Sequence, residues 1–204
     1  WMRGTVNSFY IGFVSTFLAT ALGTVAALGL SRPHMPFKGL IMAILISPMI
    51  VPLIITASGM FFFYSKLGLT HSYTGLILAH TALGTPFVVI TVTATLTGFD
   101  NNLIRASQSL GADTMRTFFK VIMPLILPGV ISGALFAFIT SFDEVVVVLF
   151  VGSVEQVTIP RQMWAGLRQE ISPVILCMAT CLVALSIALL TTVELLRRRS
   201  ERLR

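Results

Sequence analysis

The sequence predicts an all-α integral membrane protein: five transmembrane helices with one amphipathic helical hairpin set between them. Three observations carry this prediction. Of the 204 residues, 55% are hydrophobic and only 11% charged, whereas a soluble domain carries roughly 25% charged residues. The apolar residues come in blocks of about 20 or more, the length that crosses a hydrocarbon core of roughly 30 Å. One stretch, residues 101–129, breaks this pattern and instead places its apolar residues at helical spacing on a polar background.

The first block, about Ser8 to Leu30, carries the small residues Ser15, Thr16, Ala19, Gly23 and Ala26, which predict close packing against neighbouring helices. A loop with Arg32, His34 and Lys38 leads to a second span, about Leu40 to Tyr64. Pro48 and Pro52 remove backbone donors there and predict a kink. The third span, about Leu76 to Leu96, holds Gly84 and Pro86 as a second expected kink. His80, near its start, reads as an inter-helix hydrogen bond, with a proton relay as the alternative; His34 and His71 read as solvated loop residues. The fourth span is expected over about Pro128 to Val151, and the fifth over about Val174 to Leu196. Ser172 and Pro173 supply the last helix with an N-cap and first-turn pair. Between these spans, Pro160 to Arg168 is expected to form a short helix along the membrane interface, with Ile159, Met163, Trp164 and Leu167 on one side. The chain opens at Trp1 almost directly on an apolar block, with no cleavable signal peptide in view. The expectation is a fragment, or a chain whose preceding residues are absent.

The stretch from Asn101 to Gly129 reads as two short amphipathic helices. Leu103, Ile104, Ala106 and Leu110 form the apolar set of the first, and Met115, Phe118, Phe119 and Ile122 that of the second. Gly111 separates them, Asp113 stands where an N-cap belongs, and Pro124 and Pro128 are expected to close the pair before the next span. Basic residues fix the orientation. Arg32, Lys38, Arg105, Arg116, Lys120 and the tail residues Arg197, Arg198, Arg199, Arg202 and Arg204 fall on one side of the predicted membrane. Arg3, Lys66, Arg161 and Arg168 fall on the other. The excess places the hairpin and the C-terminus in the cytoplasm and the residue 1 end outside. The net charge of +6 therefore reads as topology and a lipid anchor, not as affinity for nucleic acid. A polar-faced hairpin on the cytoplasmic side is well placed to dock a soluble partner.

Few residues invite chemistry. Cys177 and Cys181 share a helix face in an apolar block and read as packing or lipid-facing groups, with no metal site and no disulfide. No G-x-x-x-x-G-K-[ST] loop and no nucleophile, base and orienter set is present, so any ATP-driven step must reside on another chain. No cofactor is expected on this one. Asp143 and Glu144 stand out, two-thirds of the way along the fourth span between Phe142 and the run Val145 to Val148. An ionised side chain at mid-bilayer costs about 2.5–3.5 kcal/mol on insertion scales, so such groups face a cavity or a partner. On a continuous helix the two acids point about 100° apart. One would line a pathway for a cationic solute while the other contacts a neighbour; the alternative is a structural pair near the outer mouth. Trp164 reads either as an interfacial anchor or as a contact for solute or an external protein. Phe61, Phe62 and Phe63 read as membrane packing.

The residues 105–124 also carry a resemblance. Arg105-Ala106-Ser107, three residues, Gly111, nine residues, then Val121-Ile122-Met123-Pro124 resembles the cytoplasmic signature of membrane subunits of bacterial ATP-binding-cassette importers. That signature runs Glu-Ala-Ala, three residues, Gly, nine residues, Ile-x-Leu-Pro. Ala106, Gly111 and Pro124 match in register, and Arg105 departs from the acidic first position. LGTVAALGLSR, SPMIVPLIITASGMFFFYSKLGL, LAHTALGTPFVV, SFDEVVVVLFV and IPRQMWAGLRQEISP extend the likeness over nearly the whole chain, to permeases of the spermidine/putrescine group.

The resemblance implies a single permease domain over residues 1–204, with coupling helices at residues 101–123 seated in a groove of an ATPase subunit. It implies ATPase-coupling roles for Ala106, Ser107, Leu110, Gly111, Ala112, Met115, Phe118 and Pro124, and a substrate pathway at Phe142, Asp143, Glu144 and Trp164. The family usually has six spans, which implies a further helix before Trp1. Implied partners are ABC ATPase subunits holding ATP and Mg, a second permease subunit (homologous or identical), an extracytoplasmic substrate-binding protein and membrane lipid. The implied location is the bacterial inner (plasma) membrane. The other readings are an importer for a metal, an anion or thiamine, a gradient-driven secondary transporter or channel, and a non-transporting membrane scaffold.

Overall fold

The computed structural model describes residues 1–32, 35–100, 102–169 and 172–202. His34, Asn101 and Arg204, and the side chains of Arg197, Arg198, Arg199 and Arg202, lie outside what is described. Every regular element among the described residues is helical. In order these are α1 (Met2–Leu30), α2 (Lys38–Ile50), α3 (Leu53–Lys66), α4 (Tyr73–Thr97), α5 (Asn102–Ser109) and α6 (Thr114–Thr117). A π-helical turn (Phe118–Ile122) follows, then α7 (Met123–Phe142), α8 (Val146–Val151), α9 (Ile159–Gln169) and α10 (Pro173–Arg202).

Among the described residues, four helical stretches are long and apolar enough to cross a membrane: Met2–Leu30, Tyr73–Thr97, Thr114–Phe142 and Pro173–Thr192. The bent pair α2 and α3 makes a fifth if it is counted as one span. The proline-rich second span is thus a corner and not a kink, with 105° between its halves. Pro52 is the physical cause. Its ring excludes the α region for the residue before it, and Val51 accordingly takes an extended ψ of 135°.

The bundle is built on α1, α4 and α7, which pack most extensively on one another. Small residues set the closeness of approach, as the sequence of the first span predicts. A Cβ placed on Gly84 would stand 3.0 Å from the Cβ of Ala137 and 3.3 Å from that of Ala19. Gly84 therefore marks the point where three helices converge, and α4 runs unbroken through it and through Pro86. One core cluster joins Ala19 and Ala27 of α1 to Val88 and Val92 of α4 and Ile126 and Val130 of α7. A second buries Val147, Val148 and Val151 of α8 against Ala57 and Tyr64 of α3 and Leu76 and Leu83 of α4. A third sets Phe138, Phe142 and Ile159 under α10.

Two boundaries differ from expectation. The fourth span is not continuous: α7 ends at Phe142, and Asp143, Glu144 and Val145 separate it from α8. The hairpin is not closed by its prolines either, because Thr114 to Phe142 forms one helical rod. The rod passes Pro124 through the π turn. The Met123 N–H reaches back five residues to the Phe118 carbonyl, so the donor that proline lacks falls where the helical ladder is already displaced.

Candidate functional site

The hairpin is built by local backbone chemistry. α5 ends in a Schellman motif, with the Ala112 N–H on the Ser107 carbonyl at 3.0 Å and the Gly111 N–H on the Gln108 carbonyl at 2.9 Å. The motif needs a left-handed residue, and Gly111 supplies it at φ 82°. Asp113 caps the next helix, accepting from the Arg116 N–H at 2.7 Å. Ser107 Oγ and Thr117 Oγ1 join the two helices at 2.9 Å. Apolar tips remain uncovered around this frame: Leu110 is 89% exposed, Met115 65% and Phe119 60%. Ala106 and Pro124 are exposed as well, Ser107, Ala112 and Phe118 are half-buried, and Arg105 points to solvent. These apolar tips stand uncovered together on an otherwise polar hairpin.

The two acids part company. Asp143 caps the C-terminus of α7 and is exposed. Glu144 is 5% exposed and turns inward, its Oε1 accepting from the Val147 N–H at 2.9 Å and its Oε2 from the Val148 N–H at 3.2 Å. The carboxylate thereby satisfies the free donors at the start of α8. Because the segment is non-helical here, the two side chains diverge through a break and not through a 100° helical step. Phe142 is buried, stacked on Phe138 with ring centroids 5.3 Å apart.

Behind Glu144 lies a polar chain that sequence reasoning did not assemble. His80 Nε2 stands 3.8 Å from Glu144 Oε2. His80 Nδ1 meets Ser141 Oγ at 2.7 Å, and Ser141 Oγ meets Ser15 Oγ at 3.1 Å. The reading of His80 as an inter-helix hydrogen bond therefore holds. Its partners were not readable from spacing, but polar residues set in apolar helices were the signal that such contacts exist.

A third polar group braces the connection between α8 and α9. Asn7 Nδ2 donates to the carbonyls of Glu155 and Val157, both at 2.9 Å, and Asn7 Oδ1 accepts from Tyr73 Oη at 3.0 Å. The Arg161 guanidinium donates to the Ser153 carbonyl, and burial lowers its pKa from the ordinary arginine value. α9 forms the short helix expected there. Its Ile159 is buried, while Trp164 is 43% exposed with the Arg168 guanidinium 5.4 Å from its ring centroid.

Residues 19–202 match the family described as binding-protein-dependent transport system inner membrane component. The chain belongs to that family. It is 31% identical over 200 residues to the spermidine/putrescine transport system permease protein PotC of Haemophilus influenzae, covering 98% of this chain and 78% of the relative. It is 29% identical over 197 residues to PotC of Escherichia coli K12, covering 97% and 75%. Among solved structures it resembles the MetNI methionine ABC transporter in its inward-facing conformations, with a TM-score of 0.76, 22% identity, and coverage of 98% of this chain and 95% of that one. The fold of an ABC importer permease is thus shared at low identity. The permease belongs to a family of inner-membrane transport components, and the resemblance carried by Ala106, Gly111 and Pro124 is confirmed at that level.

Proposed function

We propose that this permease is a membrane subunit of an ATP-driven importer for polyamines, working by alternating access, with ATP hydrolysis on a partner chain. The observation that carries the proposal is the rod from Thr114 to Phe142. Its 29 residues span about 43 Å at 1.5 Å per residue. At one end sits the hairpin with its exposed Leu110, Met115 and Phe119, and at the other sits the exposed carboxylate of Asp143. A push on the hairpin is delivered to the acid through a single helix.

In this reading the five membrane passes are α1, the α2–α3 pair, α4, the rod and α10, with the hairpin and the C-terminus in the cytoplasm. Ala106, Ser107, Leu110, Gly111, Ala112, Met115, Phe118 and Pro124 form the docking surface for the ATPase. Asp143 and Trp164 face the pathway, with Phe142 and Glu144 behind them. A second permease subunit completes the pathway, and an extracytoplasmic binding protein delivers the solute. Polyamine as the solute is supported by the two PotC relatives and by an exposed acid suited to a polycation.

The test is uptake by the whole importer reconstituted in liposomes. ATP-dependent spermidine uptake that is lost in Leu110→Asp, together with loss of ATPase co-purification, supports the proposal. Uptake driven by a proton or sodium gradient without ATP would overturn it.

A further inference from the structure

We infer that His80 is a positioning residue, holding through Glu144 the helix break that presents Asp143. The inference rests on the reading that Asp143 faces the transport pathway.

A chain of polar contacts runs through α1, α7 and α4. Ser15 Oγ donates to the Gly12 carbonyl at 3.2 Å. A serine hydroxyl has one proton to give, and Ser15 shares it with Ser141 Oγ at 3.1 Å. Ser141 in turn donates to His80 Nδ1 at 2.7 Å. A neutral imidazole that accepts at Nδ1 carries its proton on Nε2, the atom left without a hydrogen-bond partner. That N–H is turned toward Glu144 Oε2, 3.8 Å away, which is outside hydrogen-bond length and close enough for attraction between the N–H dipole and the carboxylate. Both side chains are almost wholly buried, so Glu144 is the group that offsets the buried imidazole N–H.

Only Asp143, Glu144 and Val145 separate Phe142 from Val146. Glu144 is fixed on one side by the Val147 and Val148 amides and on the other by His80. With Glu144 turned inward at a three-residue break, its neighbour Asp143 is turned out. His80 on α4 thus sets the placement of an acid it does not touch, and Glu144 acts as a strut and not as a solute ligand.

The experiment uses the complete importer in liposomes and measures KM and Vmax for spermidine. His80→Asn keeps a polar group near the Nδ1 position and removes the group facing Glu144. His80→Gln does the reverse. A residue that merely fills the core treats the two alike. The expected result is a KM raised about tenfold in H80N, with Vmax little changed, and within about threefold of wild type in H80Q. Equal KM values in the two variants, or a loss confined to Vmax, would overturn the inference. Should H80N fail to assemble, Glu144→Gln carries the same test, and an unchanged KM there is equally fatal.

A thermal-unfolding cycle of H80Q, E144Q and the double variant needs no solute. Additive shifts in that cycle, with Asp143→Asn still raising the KM, would overturn the His80 link alone. An unchanged KM in D143N would overturn the pathway reading, and the positioning role with it.

Discussion

Ser107 Oγ and Thr117 Oγ1 meet at 2.9 Å, tying the first helix of the hairpin to the base of the long rod. Thr117 is buried at this contact, whereas the apolar tips around it are open. Replacing Thr117 by the isosteric Val removes the bond between the helices at a net cost of about 1 kcal/mol, leaving Ser107 Oγ only its local donation to the Ile104 carbonyl at 2.8 Å. T117V is expected to insert normally and to retain about one-fifth of the wild-type ATPase in pull-downs at limiting concentration. Quantitative co-purification checks this.

Gly111 tests the same hairpin by a different force. A Cβ there would meet nothing within 4 Å, so only its φ of 82° demands glycine. Left-handed backbone costs an ordinary residue about 1–2 kcal/mol, and Asn tolerates it better. Gly111→Ala is therefore expected to weaken ATPase docking more than Gly111→Asn does. Parallel pull-downs would expose the error if both behaved alike.

Gly133 is constrained by space instead. An added Cβ would stand 2.5 Å from Thr91 Oγ1 and 2.8 Å from the Cα of Val88. Gly133→Ala must separate α7 from α4, at about 1–3 kcal/mol for overpacking. The expected outcome is a lower melting temperature of the detergent-solubilised complex, with the hairpin still able to bind ATPase at low temperature.

Asn7 anchors the connection before α9 with two donated bonds and one accepted bond. Asn7→Leu leaves the Val157 carbonyl to find water, at about 1–3 kcal/mol if it fails, while the Tyr73 hydroxyl and the Glu155 carbonyl keep only each other at 3.2 Å. Faster proteolysis within residues 152–158 is expected in N7L, and an unchanged cleavage rate would remove Asn7 from the brace.

Hydropathy was enough to reveal the helical class and most helix positions, because lipid demands long apolar runs and most of the apolar blocks meet that demand simply. The hairpin was legible down to its Gly111 and Asp113 caps, since capping is local chemistry. What stayed hidden was non-local or depended on magnitude. Pro52 announced a disturbance, but the 105° corner required knowing that Val51 and Pro52 both leave the helical region. The break after Phe142 carries no Gly or Pro, and Val145 to Val148 read as more of the same span. It exists because the Glu144 side chain supplies an acceptor that starts a new helix, and Glu144 faces a histidine from another helix. Pro124 misled for the opposite reason: the π turn absorbed the missing donor that should have ended the helix.

That π turn has a consequence for how the two ends of the rod are registered. One extra residue in a turn rotates everything beyond it by about 100° relative to an unbroken α-helix. The surface that Met115 and Phe119 offer outward and the seam by which Gly129 and Gly133 nestle against α4 are therefore phased separately. Deleting a residue within Phe118–Ile122 would leave the span's seam intact while swinging the docking tips around the axis like a key cut to the wrong angle. If the hairpin docks a partner as proposed, partner choice there is in this sense adjustable without rebuilding the bundle.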